Sequence, residues 1–238
     1  MANILAVIPA RGGSKGVPRK NLRTVGGTTL IAHAIYSAKL SNNISRCIIS
    51  TDDNEIATAA LEAGGDVPFM RPAELATDTA SSVDVLLHAL NFCEQNDKIK
   101  YDIIVLLQPT TPFRSVDDID ATIQLLKNHP ERESAVTVAP AEMCNPHYLY
   151  QYQSDNAVVT PLLKNNSMSK RRQDQKKYYI RTGAVYAVTR AHLMKQHEVM
   201  GSDSLAHIVD AERSINIDTE LELFIANQMW SYFHMKSQ

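Results

Sequence analysis

Apolar residues fall along this chain in two rhythms. Ile4-Leu5-Ala6-Val7-Ile8, Cys47-Ile48-Ile49 and Ile103-Ile104-Val105-Leu106-Leu107 are short unbroken runs, the pattern of strands covered on both faces of a parallel sheet. Between and after them, Leu30, Ile31, Ala34, Ile35 and Ala38 recur at helical spacing, as do Val83, Leu86, Leu87 and Leu90 with Phe92-Cys93, and Ile119, Ile123 and Leu126. Strand, helix and strand make a βαβ unit with a right-handed crossover. The expected fold is α/β: a Rossmann-like, mainly parallel sheet with helices on both faces.

Turn residues punctuate this pattern. A helix over 56–63 stops at Gly64-Gly65, and Val67-Pro68-Phe69-Met70 supplies a short edge element. Asp52 is expected to cap that helix, with Glu55 returning to it. Ser81 or Ser82 caps the next helix, while Ser115 opens another that Pro130 closes. Ser134 to Ala139 and Tyr179 to Val188 read as strands. A last helix follows Thr219, with Leu221, Phe224, Ile225 and Met229 expected inside. Residues 144–178 differ in character: Tyr148, Tyr150 and Tyr152 precede a charged run from Lys170 to Lys177. The tyrosines fit a small protruding subdomain better than a linker.

Composition adds limits. A chain of 238 residues forms one large α/β domain, with or without a small appendage. With 24 Lys+Arg against 26 Asp+Glu, bulk charge argues for neither nucleic acid nor an anionic membrane as partner. No apolar run reaches the roughly 20 residues of a membrane span, and the N-terminus lacks the pattern of a signal peptide. Cys47, Cys93 and Cys144 are odd in number and lack metal-ligand spacing, which suits reduced thiols in the cytoplasm.

The chemistry concentrates at strand ends. After Pro9 comes Ala10-Arg11-Gly12-Gly13-Ser14-Lys15-Gly16, followed by Lys20-Asn21. Its glycines let backbone N–H groups approach a ligand and its cations bring full charges, so it reads as an anion-binding loop or a solvated basic turn. It spells neither GxxxxGK[ST] nor GxGxxG, so it gives no P-loop or dehydrogenase fingerprint. The segment from Arg71 to Ser82 is a polar loop; read locally, Arg71 is a surface cation and the serines are caps. Gln108-Pro109-Thr110-Thr111-Pro112-Phe113-Arg114 displays Gln108, with Arg114 expected to order the loop through a salt bridge. Ligands of open parallel sheets lie beyond the carboxyl ends of the strands, where these loops would gather. Near the end, Asn216-Ile217-Asp218-Thr219 alternates, so residues 216 and 218 share a face; either Thr219 or Asp218 caps the last helix, or Asp218 is a metal ligand.

These motifs, spread along nearly the whole chain, resemble the acylneuraminate cytidylyltransferases, which activate nine-carbon 2-keto-3-deoxy sugar acids with CTP. The resemblance implies nucleotide contacts from Ala10, Arg11, Gly12, Lys15, Lys20, Asn21, Arg71, Ala80, Ser81 and Ser82. It implies sugar contacts from Gln108, Arg172 and Thr182, and a catalytic role for Arg11, Lys15 and Asp218. Mg²⁺ (or Mn²⁺) would be held by Asp218 and Asn216. The whole chain, 1–238, would be one cytidylyltransferase domain, with residues 140–180 an insertion that forms a homodimer.

Two departures matter. The family pattern Asp-Ile-Asp appears here as Asn216-Ile217-Asp218, one negative charge fewer. The asparagine usual before Gly-Ala is Thr182, preceded by Arg181, on the sugar side. The implied reaction is transfer of CMP from CTP to the anomeric hydroxyl of N-acetylneuraminate. Alternatives are legionaminate, pseudaminate or 3-deoxyoctulosonate as acceptor, or a regulatory nucleotide binder that has lost turnover.

Overall fold

The computed structural model describes residues 2–142, 144–155, 157–163 and 176–236. In chain order the strands are β1 (Ile4–Pro9), β2 (Thr24–Val25), β3 (Thr28–Thr29), β4 (Arg46–Ser50), β5 (Ile103–Leu106), β6 (Ser134–Pro140), β7 (Tyr150–Gln153), β8 (Val158–Pro161), β9 (Tyr179–Thr189) and β10 (Leu205–Ile208). The helices are α1 (Leu30–Leu40), α2 (Asn54–Glu62), α3 (Ser82–Asp97), α4 (Val116–Asn128), α5 (Arg190–Gln196) and α6 (Glu220–Lys236). Six strands form one sheet in the order β10-β6-β9-β5-β1-β4, in which only β9 runs against its neighbours.

Alternation along β1 divides the core. Ile4, Ala6 and Ile8 pack under α1, α2 and α4, with Ile31, Ile35, Ile56, Ile119 and Ile123. Leu5 and Val7 face the other way, onto Leu86, Leu90 and Cys93 of α3 and Leu193 of α5. Each such fully buried aliphatic side chain contributes about 1.5–3 kcal/mol relative to exposure. The run is unbroken because both faces of β1 are covered. Phe69 and Met70 follow a bridge from Asp66 to Ile48, and Met70 itself bridges Thr51, so the edge element is two isolated bridges rather than a strand.

Two local expectations need correction. Asp53, not Asp52, caps α2: its carboxylate accepts from the N–H groups of Glu55 and Ile56 at 2.9 and 3.0 Å. The helix therefore starts at Asn54, and Asp52 is released for the loop after β1. In α6 the buried face is Leu223 and Ala226, with Met229, Trp230 and Phe233 packed against it. Leu221 and Phe224 are more than half exposed, and Ile225 is also exposed. The reason is a hairpin that the apolar pattern does not show: β2 and β3 turn through Gly26 and Gly27, both at positive φ, and Trp230 lies directly against Gly26. Docking Trp230 there sets the rotation of α6.

Among the described residues, β7 and β8 pair with each other as a hairpin apart from the main sheet. Tyr150, Tyr152, Val158 and Val159 on it are exposed, as are Tyr148 and Leu162 beside it. No described helix is long and apolar enough to cross a membrane.

Candidate active site

A cleft of about 360 Å³ opens beyond the carboxyl ends of β1 and β5. Arg11, Lys20, Asn21, Arg71, Ala80, Ser81, Ser82, Gln108, Asn216 and Asp218 line it, so four widely separated motifs converge on one space. Thr110, displayed on the Gln108 loop, lines it too, as do Leu75, Thr77 and Asp78 of the polar loop before α3, which the sequence reading gave no role.

The corner formed by residues 71–82 is fixed by backbone contacts. Arg71 is buried: its Nε donates to Ser50 Oγ at 3.0 Å and its Nη2 donates to the Ser50 carbonyl. Its own N–H donates to Thr51 O at 2.7 Å. It is therefore no surface cation, and burial pushes its pKa down to about 10, still protonated at neutral pH. Ser81 caps α3, accepting from Asp84 N at 3.1 Å. Asn21 is buried and donates to Arg11 O at 2.9 Å, which closes the loop after β1 on itself.

That loop is held from three sides. The Gly12 N–H donates to Asp52 Oδ1 at 3.0 Å, and a Cβ at Gly12 would lie 2.6 Å from the Asp53 carboxylate. Gly16 abuts the Asp218 carbonyl. Arg11 Nη1 and Lys15 Nζ both reach Asp78, at 2.8 and 2.7 Å, across from the loop before α3. These two bonds hold the Asp78 carboxyl below the usual carboxylate range, Lys15 contributing most. Lys15 is otherwise exposed and does not line the cleft itself.

Gln108 leaves β5 on a loop ordered by Arg114. This arginine is fully enclosed and forms no ion pair among the described residues; it donates to Gln108 O at 3.0 Å, Ala184 O at 2.8 Å and Ser37 Oγ at 3.3 Å. It orders the loop as expected, but through hydrogen bonds rather than a salt bridge. The Gln108 side chain rests on Gly183, where a Cβ would come within 2.6 Å of Oε1; φ is +77° there, which favours glycine. Thr182 is buried and does not line the cleft: its hydroxyl bonds Thr137 Oγ1 at 2.7 Å. Arg172 lies outside the described residues.

Residues 216–218 are set by the buried Ile217 between them, whose N–H donates to Thr110 O at 2.9 Å. Glu222 accepts from the N–H groups of Asp218 and Thr219, both at 2.8 Å, and Thr219 Oγ1 accepts from Glu222 N. Thr219 is thus the capping residue, and the Asp218 side chain is left for the cleft. Lys20 Nζ donates to Asp218 Oδ1 at 2.8 Å, and Asn216 Nδ2 donates to Oδ2. Asn216 Oδ1 is buried without a hydrogen-bond partner among the described residues. An unsatisfied amide oxygen beside a carboxylate is a pair of hard oxygen donors, a fit for a hard divalent cation. Among the described residues no three His, Cys, Asp or Glu side chains cluster as they would around a metal ion.

Residues 5–229 match the family model described as Cytidylyltransferase. The chain belongs to the cytidylyltransferase family. It is 31% identical over 95% of both chains to the CMP-N,N'-diacetyllegionaminic acid synthase of Legionella pneumophila. It is 30% identical, over 94% of its length and 51% of the relative's, to the N-acylneuraminate cytidylyltransferase of Escherichia coli. Among solved structures, a CMP:2-keto-3-deoxy-manno-octonic acid synthetase complexed with CTP shares the fold, with a TM-score of 0.71 at 20% identity over 97% of this chain and 99% of that one.

Proposed function

We propose that this cytidylyltransferase transfers the CMP group of CTP to the anomeric hydroxyl of a nonulosonic acid, either N-acetylneuraminate or a relative such as N,N'-diacetyllegionaminate. The hydroxyl oxygen bonds to the α-phosphorus, the bond to the β-phosphate oxygen breaks, and pyrophosphate leaves. The observation that carries this reading is the convergence, in one cleft, of a hydroxyl-rich corner, a cationic loop and a carboxamide. The family and the two named relatives support it.

Within the reading, Arg71, Ala80, Ser81, Ser82 and Asn21 form the corner for the cytosine base, whose edge both donates and accepts hydrogen bonds. Arg11, Lys15 and Lys20 bring cations to the phosphates, while Ala10, fully buried with its N–H on Ser50 O, and Gly12, whose N–H is taken by Asp52, shape the loop and do not line the cleft. Arg11 and Lys15 stabilise charge as it grows on the departing pyrophosphate, and Gln108 orients the sugar acid. Asp218 and Asn216 would hold Mg²⁺ or Mn²⁺, which would supply Lewis-acid stabilisation of phosphoryl charge. Thr182 acts on the sugar side through the turn at Gly183 rather than through its hydroxyl. The carboxylates of Asp78 and Asp218 are both held by cations, so the proton of the attacking hydroxyl passes to water.

The exposed tyrosines and valines of the β7–β8 hairpin support pairing of two copies through the 140–180 region, in which Arg172 also lies. Free thiols at Cys47, Cys93 and Cys144 suit the reducing cytoplasm. A nucleotide panel tests the reading: with acceptor and Mg²⁺, CTP supports pyrophosphate release at least tenfold faster than UTP, ATP or GTP. Equal rates with all four would remove the base-reading corner from the account.

A further inference from the structure

Asp78 joins the two walls of the cleft. It is the shared partner of Arg11 and Lys15, at 2.8 and 2.7 Å, and Arg11 Nη1 also donates to Thr77 O at 3.1 Å. The same two cations are those that the proposed function assigns to the triphosphate. From these contacts we infer that Asp78 is an internal competitor for the phosphate site, a residue that sets how strongly polyphosphate is held. The inference rests on the proposed function.

A carboxylate presents two acceptor oxygens, and Asp78 uses one for each cation. A polyphosphate that engages Arg11 and Lys15 competes with Asp78 for the charge and the donors that now meet its carboxylate. A triphosphate or pyrophosphate carries several negative charges and wins the exchange, but part of its binding energy is consumed in doing so. When pyrophosphate is to leave, the same carboxylate favours departure by recapturing both side chains. Asp78 thus trades affinity for release, which matters for an enzyme whose product retains much of the substrate's charge. The pairs are exposed, so the exchange is modest in energy and rapid. Cytidine, with no phosphate, does not compete for either cation.

Calorimetric titration of wild type, Asp78→Asn and Asp78→Glu tests this, with CTP and Mg²⁺, with pyrophosphate and with cytidine as separate ligands. Asp78→Asn is expected to bind CTP and pyrophosphate about 3- to 30-fold more tightly, the range for two exposed ion pairs lost from the competing state. Cytidine affinity is expected to stay at the wild-type value, and Asp78→Glu, which keeps the carboxylate, to lie near wild type in all three titrations. Unchanged or weaker binding of pyrophosphate by Asp78→Asn overturns the inference. A loss of CTP affinity confined to buffers with Mg²⁺ also overturns it, by making Asp78 a metal ligand. Failure of wild type to bind CTP would defeat the proposed function, whereas the pyrophosphate titration still decides the role of Asp78.

Discussion

Arg71 and Lys15 are cations of one candidate site, yet they are held in opposite ways. Arg71 is buried and spends its donors on Ser50 and the backbone. Lys15 is 82% exposed and reaches a single carboxylate across the cleft. The corner proposed for the base is therefore built without a ligand, whereas the loop proposed for the phosphates must exchange partners. A corner that reads the shape of a base gains from rigidity, because ordering costs are met during folding. A loop that binds and releases polyphosphate gains from contacts that are easily replaced.

Variants can break or sharpen this contrast. The largest effect is expected at Lys15→Ala: turnover falls by at least about 10²-fold, the loss typical of removing one group that stabilises charge in the transition state, while Tm stays within a degree or two. Near-normal turnover would take Lys15 out of the chemistry. Next comes Arg71→Met, which removes the charged donors to Ser50 Oγ and to the Ser50 carbonyl and leaves that carbonyl with the Ala10 N–H alone. A loss of about 2–3 kcal/mol in unfolding free energy, read by denaturant titration, should accompany weaker CTP binding. Lost affinity at unchanged stability would show that Arg71 is not the structural strut described.

Gly183→Ala carries the contrast to the sugar side. The new methyl meets Gln108 Oε1 and the residue must hold a positive φ, so the KM for the sugar acid should rise about tenfold with the KM for CTP unaltered. A shift in both would mean that Gln108 does not separate the two substrates. The smallest effect is expected at Asn216→Asp, which restores a second carboxylate beside Asp218. The Mg²⁺ concentration for half-maximal rate should fall about three- to tenfold. Unchanged Mg²⁺ dependence would place residue 216 outside the metal's shell.

Much of the frame was legible in the sequence because β1 and β5 are covered on both faces and so carry no polar position. The motif loops were legible for a related reason: glycine, proline and clustered cations at strand ends have few other uses. Burial of charge was not. Arg71 and Arg114 read as a surface cation and a salt-bridge residue, but both turn inward to satisfy backbone carbonyls, partners that no side-chain pattern displays. Adjacent acids hid the division of labour at Asp52 and Asp53, since either can cap a helix and only the backbone decides which does. α6 is apolar nearly all round, so its periodicity left the buried face undecided until Trp230 met Gly26. Asp78 escaped notice as one acid in a polar loop, although a carboxylate among hydroxyls opposite a cationic loop is the signal that would have found it.

The central claim is tested most directly by pyrophosphate release from CTP and Mg²⁺ with N-acetylneuraminate, N,N'-diacetyllegionaminate, pseudaminate and 3-deoxyoctulosonate offered one at a time. The account predicts release that depends on CTP and on a nonulosonic acid, with one nine-carbon sugar well ahead of the others and the eight-carbon acid poorest. CTP binding with no release from any of the four would contradict it and leave a nucleotide binder in place of an enzyme.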